Sequence, residues 1–204
     1  MRLFVAVLPP EPALQDLEDF MAPRWEAGRA LRWTQPYQWH VTLAFFPEVA
    51  DRHLDDLGER LTRAAAKRHP FELSLGGGGA FPDPVGARVL WCGVHPTFPA
   101  RHDPPWRPGH DAATELDRLA VGSRAAGAKA GAAVAAGRFS PHVTLARLPR
   151  PANVTAWLTV LSAYQGPLWP VTGISLIESQ LGQGPHRRPR YQLLGQYPVG
   201  ARGD

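Results

Sequence analysis

The pentapeptide His-Val-Thr-Leu-Ala occurs twice, at positions 40–44 and again at 142–146. Side chains alternate across a β-strand, so in the first copy His40 and Thr42 project from one face while Val41 and Leu43 project from the other. The second copy places His142 and Thr144 opposite Val143 and Leu145 in the same way. Val and Leu suit a core, which leaves His and Thr to line a cleft. One such strand would usually be a satisfied surface or core pair. Two copies at equivalent places in two halves of one chain point instead to a pseudo-two-fold arrangement of two lobes.

The elements around each copy are consistent with that reading. Residues 2–8 are β-rich and stop at Pro9-Pro10. Residues 10–25 carry Leu14, Leu17, Phe20 and Met21 at helical spacing. The first copy lies in an expected strand, 39–46, and a helix follows in 51–68, with Leu54, Leu57 and Leu61 on one face and Asp51 as the expected N-cap. Residues 71–76 and 87–94 read as strands separated by a glycine-rich turn, and Gly76–Gly79 is expected to be flexible turn rather than a phosphate cradle. The segment 95–111 is Pro-rich and is expected to be an irregular loop. Beyond it come a helix with Leu116 and Leu119 inward, a low-complexity stretch 128–137 with no clear assignment, a strand 139–148 holding the second copy, a helix 153–164, and strands 171–182 and 190–199. The pattern is α+β.

Composition narrows the class. With 44% hydrophobic residues and 20% charged in 204, the chain can bury a core and is too polar to be lipid-embedded. Its apolar runs fall short of the roughly 20 residues that span a bilayer, and the start has no small-residue cleavage site, so a soluble, cytoplasmic protein is expected. Cys92 stands alone, without a disulfide or zinc partner, and reads as a small apolar strand residue. The net charge of +4 favours anionic partners such as RNA or nucleotides. All the cations except Lys67 and Lys129 are arginine, however, and a GC-rich genome gives the same bias.

Two imidazoles and two hydroxyls converging across a groove suit in-line displacement at phosphorus. Histidine has an ordinary pKa of about 6.5, so one ring can act as base and the other as acid near neutrality. Threonine hydroxyls can donate to the non-bridging oxygens where charge builds up. The chain shows no DxD, HExxH or clustered carboxylates that would hold Mg²⁺ or Zn²⁺, and no P-loop, so neither metal nor cofactor is expected. His95, His102 and His110 are irregularly spaced and are expected to be solvated loop histidines.

The paired His-x-Thr motifs, with MRLFVAVLPP at the start, RWTQPYQWHVTLAFFPEV, GGGAFPDPVGARVLWCGV, FSPHVTLAR and SLIESQLGQGPHRRPRYQLL, resemble the two-histidine phosphoesterase superfamily. The pattern is most similar to its RNA 2′,3′-cyclic phosphodiesterase branch, also called the 2′-5′ RNA ligase family. The resemblance implies a fold of two pseudo-symmetric lobes, each an antiparallel sheet with helices outside, with one motif per lobe on a central groove. One domain would cover 1–204, with approximate halves 1–94 and 112–200 about the loop 95–111. It further implies metal-independent hydrolysis of an RNA or nucleotide 2′,3′-cyclic phosphate to a 2′-phosphomonoester, with reversible 2′-5′ RNA joining. His40 and His142 would be catalytic, and Thr42, Thr144 and Arg147 would bind the phosphate.

Arg147 lies one step off the His/Thr parity, so it reaches a phosphate only if the strand ends or twists. Phe45 and Trp33 are the candidates for base stacking. Two nearly identical motifs do not fix which ring has which duty; His40 is assigned as acid toward the leaving 3′ oxygen and His142 as the base that activates water. Three further expectations are a monomer, no membrane partner, and a closing Arg202-Gly203-Asp204 that is a frayed end. Two other readings stay open: a non-catalytic module that binds RNA ends or nucleotides, and a phosphodiesterase for another cyclic phosphate, such as an ADP-ribose derivative.

Overall fold

The two strands that carry His-Val-Thr-Leu-Ala lie side by side at the centre of one antiparallel sheet. The structure, a computed structural model, describes residues 1–97, 112–185 and 188–200. Its strands are β1 (Leu3–Val7), β2 (Arg32–Trp33), β3 (Val41–Phe46), β4 (Glu72–Phe81), β5 (Ala87–Thr97), β6 (His142–Ala152), β7 (Trp169–Pro170), β8 (Gly173–Gln180) and β9 (Arg190–Pro198). Its α-helices are α1 (Glu11–Met21), α2 (Leu54–Ala66), α3 (Ala112–Lys129) and α4 (Thr155–Leu161). The strand order is β7-β4-β5-β6-β3-β1-β8-β9, with β2 added beside β6.

Where β3 meets β6 the ladder narrows to one pair, Val41 opposite Val143. Every long strand to either side pairs over a longer stretch. The sheet is therefore two lobes joined at a thin seam. Helix α2 packs on β8 and β9, α3 packs on β3 and reaches across the seam to β5, and α1 and α4 pack on β4. The lobes do not coincide with the halves of the chain, because each draws elements from both 1–94 and 112–200. The second half supplies β8 and β9 to the lobe of β3, and the first supplies β4 and β5 to the lobe of β6.

The apolar periodicity of the sequence maps onto the core. Leu57 and Leu61 of α2 are fully buried, as are Leu116 and Leu119 of α3 and Leu17 and Met21 of α1. Cys92 is buried on β5, and burial pushes its thiol up to about 12, which fits an inert apolar residue. Asp51 does not cap α2. It opens a one-turn 3₁₀ helix, Asp51–His53, and His53 precedes the α-helix. Among the described residues no helix is long and apolar enough to cross a membrane.

Gly76–Gly79 is not a turn. It lies inside β4, where the register against β5 slips at Gly77, whose φ is +59°. A glycine in the left-handed region is what a bulge of this kind requires. At Gly79 the reason is contact, since an added Cβ would come within 2.1 Å of the Trp91 ring that lies across it. His95 likewise is no loop residue, because β5 runs on to Thr97 and the His95 ring nitrogen Nε2 hydrogen-bonds the Gly76 carbonyl at 3.0 Å. Residues 98–111, with His102 and His110, lie outside the described residues, as do Arg202, Gly203 and Asp204.

Phe46, fully buried on β3, holds this strand to its helix layer. Its ring lies so close to α3 that a Cβ at Gly127 would come within 2.1 Å of it. Phe46→Ala is expected to cost about 3–5 kcal/mol of stability, read from urea unfolding. A cost under about 1 kcal/mol would contradict this packing.

Candidate active site

Antiparallel pairing at Val41 and Val143 fixes what stands on the opposite face. One step to either side, His40 faces Thr144 and Thr42 faces His142, all four on the face that Val41 and Val143 leave. The structure thus brings the two His-x-Thr motifs together about one point, without a loop between them.

Each imidazole is held in the same way. His40 Nδ1 lies 2.6 Å from the Gln38 carbonyl, and His142 Nδ1 lies 2.7 Å from the Ser140 carbonyl. A carbonyl only accepts, so Nδ1 carries the proton in both rings and Nε2 is the nitrogen left for chemistry. Gln38 is itself buried, and its side-chain amide donates to the Pro189 carbonyl at 3.1 Å, which ties the His40 anchor to the start of β9.

Both rings sit against aromatic walls. His40 lies 4.6 Å from Phe4 and 5.5 Å from Tyr191, ring centre to ring centre. His142 lies 5.0 Å from Phe81 and 6.0 Å from Trp91. Burial among these rings disfavours the charged imidazolium, and it is the main reason that His40 is pulled down to about 4. The Gln38 hydrogen bond opposes this, while His142 and Arg147 add to it. His142 is lowered too, first by burial and then by Arg147, against the Ser140 hydrogen bond. Both shifts favour the neutral ring at pH 7.

The charge of Arg147 acts on both histidines, despite its parity in the sequence. The cause is a bulge. Leu90 pairs with Ala146 but Trp91 pairs with Thr144, which leaves Leu145 as an extra residue in β6. Leu145 and Ala146 are both buried, the alternation resets, and Arg147 returns to the His/Thr face. The same slip occurs in β3, where Val5 pairs with Ala44 and Ala6 with Thr42, and Leu43 and Ala44 are both buried. The repeated Leu-Ala is thus the bulge itself.

Thr34 clasps the bulge in β6. Its hydroxyl lies 2.6 Å from the Thr144 carbonyl and 2.9 Å from that of Leu145, and it accepts the Trp39 indole N–H at 2.9 Å. The Thr34 amide also donates to the Leu145 carbonyl at 2.8 Å.

Phe45 takes the place in β3 that Arg147 takes in β6. It packs against the cluster of Phe4, Ala6 and Ile177, and the Arg2 guanidinium lies 4.5 Å from its ring centre. Trp33 is placed differently. Its indole N–H donates to the Gly28 carbonyl at 2.9 Å and its ring meets Trp157 edge-on at 5.1 Å, so it serves packing beside β6. Phe4, Tyr191, Phe81, Trp91 and Thr34 are the site residues that the motif reading misses. Phe4 lies in an unbroken apolar run with no period-two signal, Phe81, Trp91 and Tyr191 are far from either motif in sequence, and Thr34, though near the first motif along the chain, acts on the strand of the second. Among the described residues, no group of three or more His, Cys, Asp or Glu side chains could hold a metal ion.

Comparison with known proteins bears on this geometry. The family described as LigT like Phosphoesterase matches residues 7–91, a span that includes the first motif. A Thermus thermophilus protein named RNA 2′,3′-cyclic phosphodiesterase is 32% identical, over 98% of this chain and 100% of that one. A protein of the same name from Archaeoglobus fulgidus is 34% identical over 46% of this chain, and the match spans about half of the relative, 52%. A crystal structure of a Thermus thermophilus protein superposes with a TM-score of 0.69 at 29% identity, with both chains covered in full. The E. coli LigT complex with 3′-AMP has the same fold, with a TM-score of 0.70 at 24% identity over 98% of each chain.

Desolvation of His40 has a consequence for stability. The unfolded chain binds a proton at this residue near the ordinary value of 6.5 and the folded chain only at about 4. The unfolded state therefore takes up more protons as the pH falls through that window, and stability drops with it. His40→Asn does not titrate, so its stability in urea titrations from pH 7 to 4 is expected to fall less steeply than that of the wild type. Parallel curves would contradict the burial of this ring.

Proposed function

Because this chain belongs to the LigT-like phosphoesterase family, we propose that it hydrolyses RNA or nucleotide 2′,3′-cyclic phosphates to 2′-phosphomonoesters, with His40 and His142 as acid and base. The observation that carries this reading is the Val41–Val143 pair, which sets the two His-x-Thr motifs face to face.

In the proposed reaction the cyclic phosphate lies between the two Nε2 atoms, with its non-bridging oxygens toward Thr42, Thr144 and Arg147. His142 Nε2 takes a proton from water as its oxygen attacks phosphorus. The bond to the 3′ oxygen breaks on the opposite side, and His40 Nε2 gives that oxygen a proton. The products are a 2′-phosphate and a 3′-hydroxyl, with the proton left on His142 returned through solvent. A 5′-hydroxyl in place of water gives a 2′-5′ linkage by the same displacement.

Burial favours the neutral form of both rings, so in this mechanism the acid gains its proton with the substrate. The phosphate supplies the reason, since a negative charge between two desolvated rings favours imidazolium and offsets the pull of Arg147. The two rings then titrate as a coupled pair.

His40→Ala and His142→Ala are each expected to lower kcat on a nucleoside 2′,3′-cyclic phosphate by about 10²–10⁴-fold in EDTA-treated buffer. A substrate with sulfur at the 3′ bridging position needs no acid, so it is expected to restore turnover to His40→Ala and not to His142→Ala. Full activity in the double variant would refute the mechanism, and rescue of His142→Ala instead would reverse the two duties.

A further inference from the structure

Helices α2 and α3 lie on the side of the sheet away from the histidines, as the contact of Phe46 with Gly127 shows. Between these helices runs a groove of about 230 Å³, bordered by Arg60, Arg63, Lys67 and Arg68 from α2 and its end and by Arg118 and Lys129 from α3. Arg60, Arg63 and Lys67 fall three and four apart, so they form one ridge along their helix. The floor is made of small residues. Gly122 and Ala64 meet there so closely that a Cβ on the glycine would lie 3.3 Å from that of Ala64.

Three of the six cations are neutralised locally. Arg60 pairs with Asp56 at 2.8 Å, Arg63 with Glu59 at 3.4 Å and Arg118 with the buried Glu115 at 3.0 Å. Lys67, Arg68 and Lys129 pair with no carboxylate among the described residues, so the groove keeps an excess of three positive charges. Lys67 and Lys129 are exposed, with their ammonium groups free to reach a ligand. They are also the only lysines of the chain, in which every other cation is arginine.

We propose that this groove binds the phosphate backbone of an RNA strand, as a second site on the helical face, separate from the histidine pair. The choice of RNA rests on the proposed function, because a chain that ends in a cyclic phosphate carries further phosphates behind the reacting one. Six cations along the two sides of a shallow trough with a small-residue floor, three of them without a carboxylate partner, fit a backbone that carries one charge per nucleotide. It offers no aromatic face for a base, so recognition here would be independent of sequence. The site would add to strand affinity and leave turnover of a mononucleotide untouched.

The test uses the full chain and the variant Lys67→Glu/Lys129→Glu, which changes only exposed side chains. Binding of a labelled single-stranded RNA is followed by fluorescence anisotropy over a KCl series. Each lost contact to a single strand removes about 0.7 from the slope of log Kd against log salt. The variant is therefore expected to lose about 1.4, or about 25-fold in affinity for each tenfold dilution of salt, with hydrolysis of a nucleoside 2′,3′-cyclic phosphate unchanged. A second measurement needs no variant. In the wild type, RNA is expected to slow acylation of Lys67 and Lys129 by an amine-directed reagent, followed by mass spectrometry. Equal slopes, or lysines labelled as fast with RNA as without it, would overturn the proposal. Protection by inorganic phosphate but not by RNA would also overturn it, by assigning the groove to the free anion. Absence of any cyclic-phosphate hydrolysis would sink the proposed function alone, because the slope and the labelling do not depend on it.

Discussion

The whole site hangs on one pair of residues, Val41 and Val143, at the seam where β3 meets β6. Their side chains enter the core from the joined strands, and their exclusion from the other face leaves it to His40, Thr42, His142 and Thr144. Because the seam is so short, the flanking ladders can splay apart and leave a groove. A longer ladder would flatten the sheet and close that space. The lobes on either side exchange elements between the two halves of the chain, with β8 and β9 beside β1 and with β4 and β5 beside β6. That exchange ties both sides of the groove to the core and holds the seam in place.

A second constraint is the paired bulge at Leu43-Ala44 and at Leu145-Ala146. Strand alternation alone would turn the fifth residue after each histidine away from the groove. The extra residue resets the phase, and the two lobes use the reset for different ends. One presents Phe45 and the other Arg147, so a pseudo-symmetric frame carries two different side chains at equivalent places. The clasp by Thr34 and Trp39 is made in β6, on the strand that carries Arg147. Burial among the aromatic walls lowers both histidines and so favours the neutral ring in each.

Much of this was legible in the amino-acid order. The helices of Leu57 and Leu61 and of Leu116 and Leu119, the strands about each motif, and the shared face of His and Thr all follow from local periodicity. The parity of Arg147 was not legible, because Leu-Ala fits regular alternation as well as a bulge, and only the partner strand reveals the slip. Gly76–Gly79 resembles a turn in sequence and is a strand because Trp91 occupies the space above Gly79. Phe4 and Tyr191 reach His40 by long-range pairing through β1, β8 and β9, which no local pattern encodes. Trp33, close to the motif along the chain, is turned to packing for the same reason.

Whether both imidazoles serve one phosphorus is decided by a crystal structure with a nucleoside 2′-monophosphate bound. The phosphate is expected between the two rings, with its oxygens within hydrogen-bond reach of Nε2 of His40 and Nε2 of His142 and with Arg147 turned toward it. A phosphate held by one histidine alone, with the other ring out of reach, would contradict this.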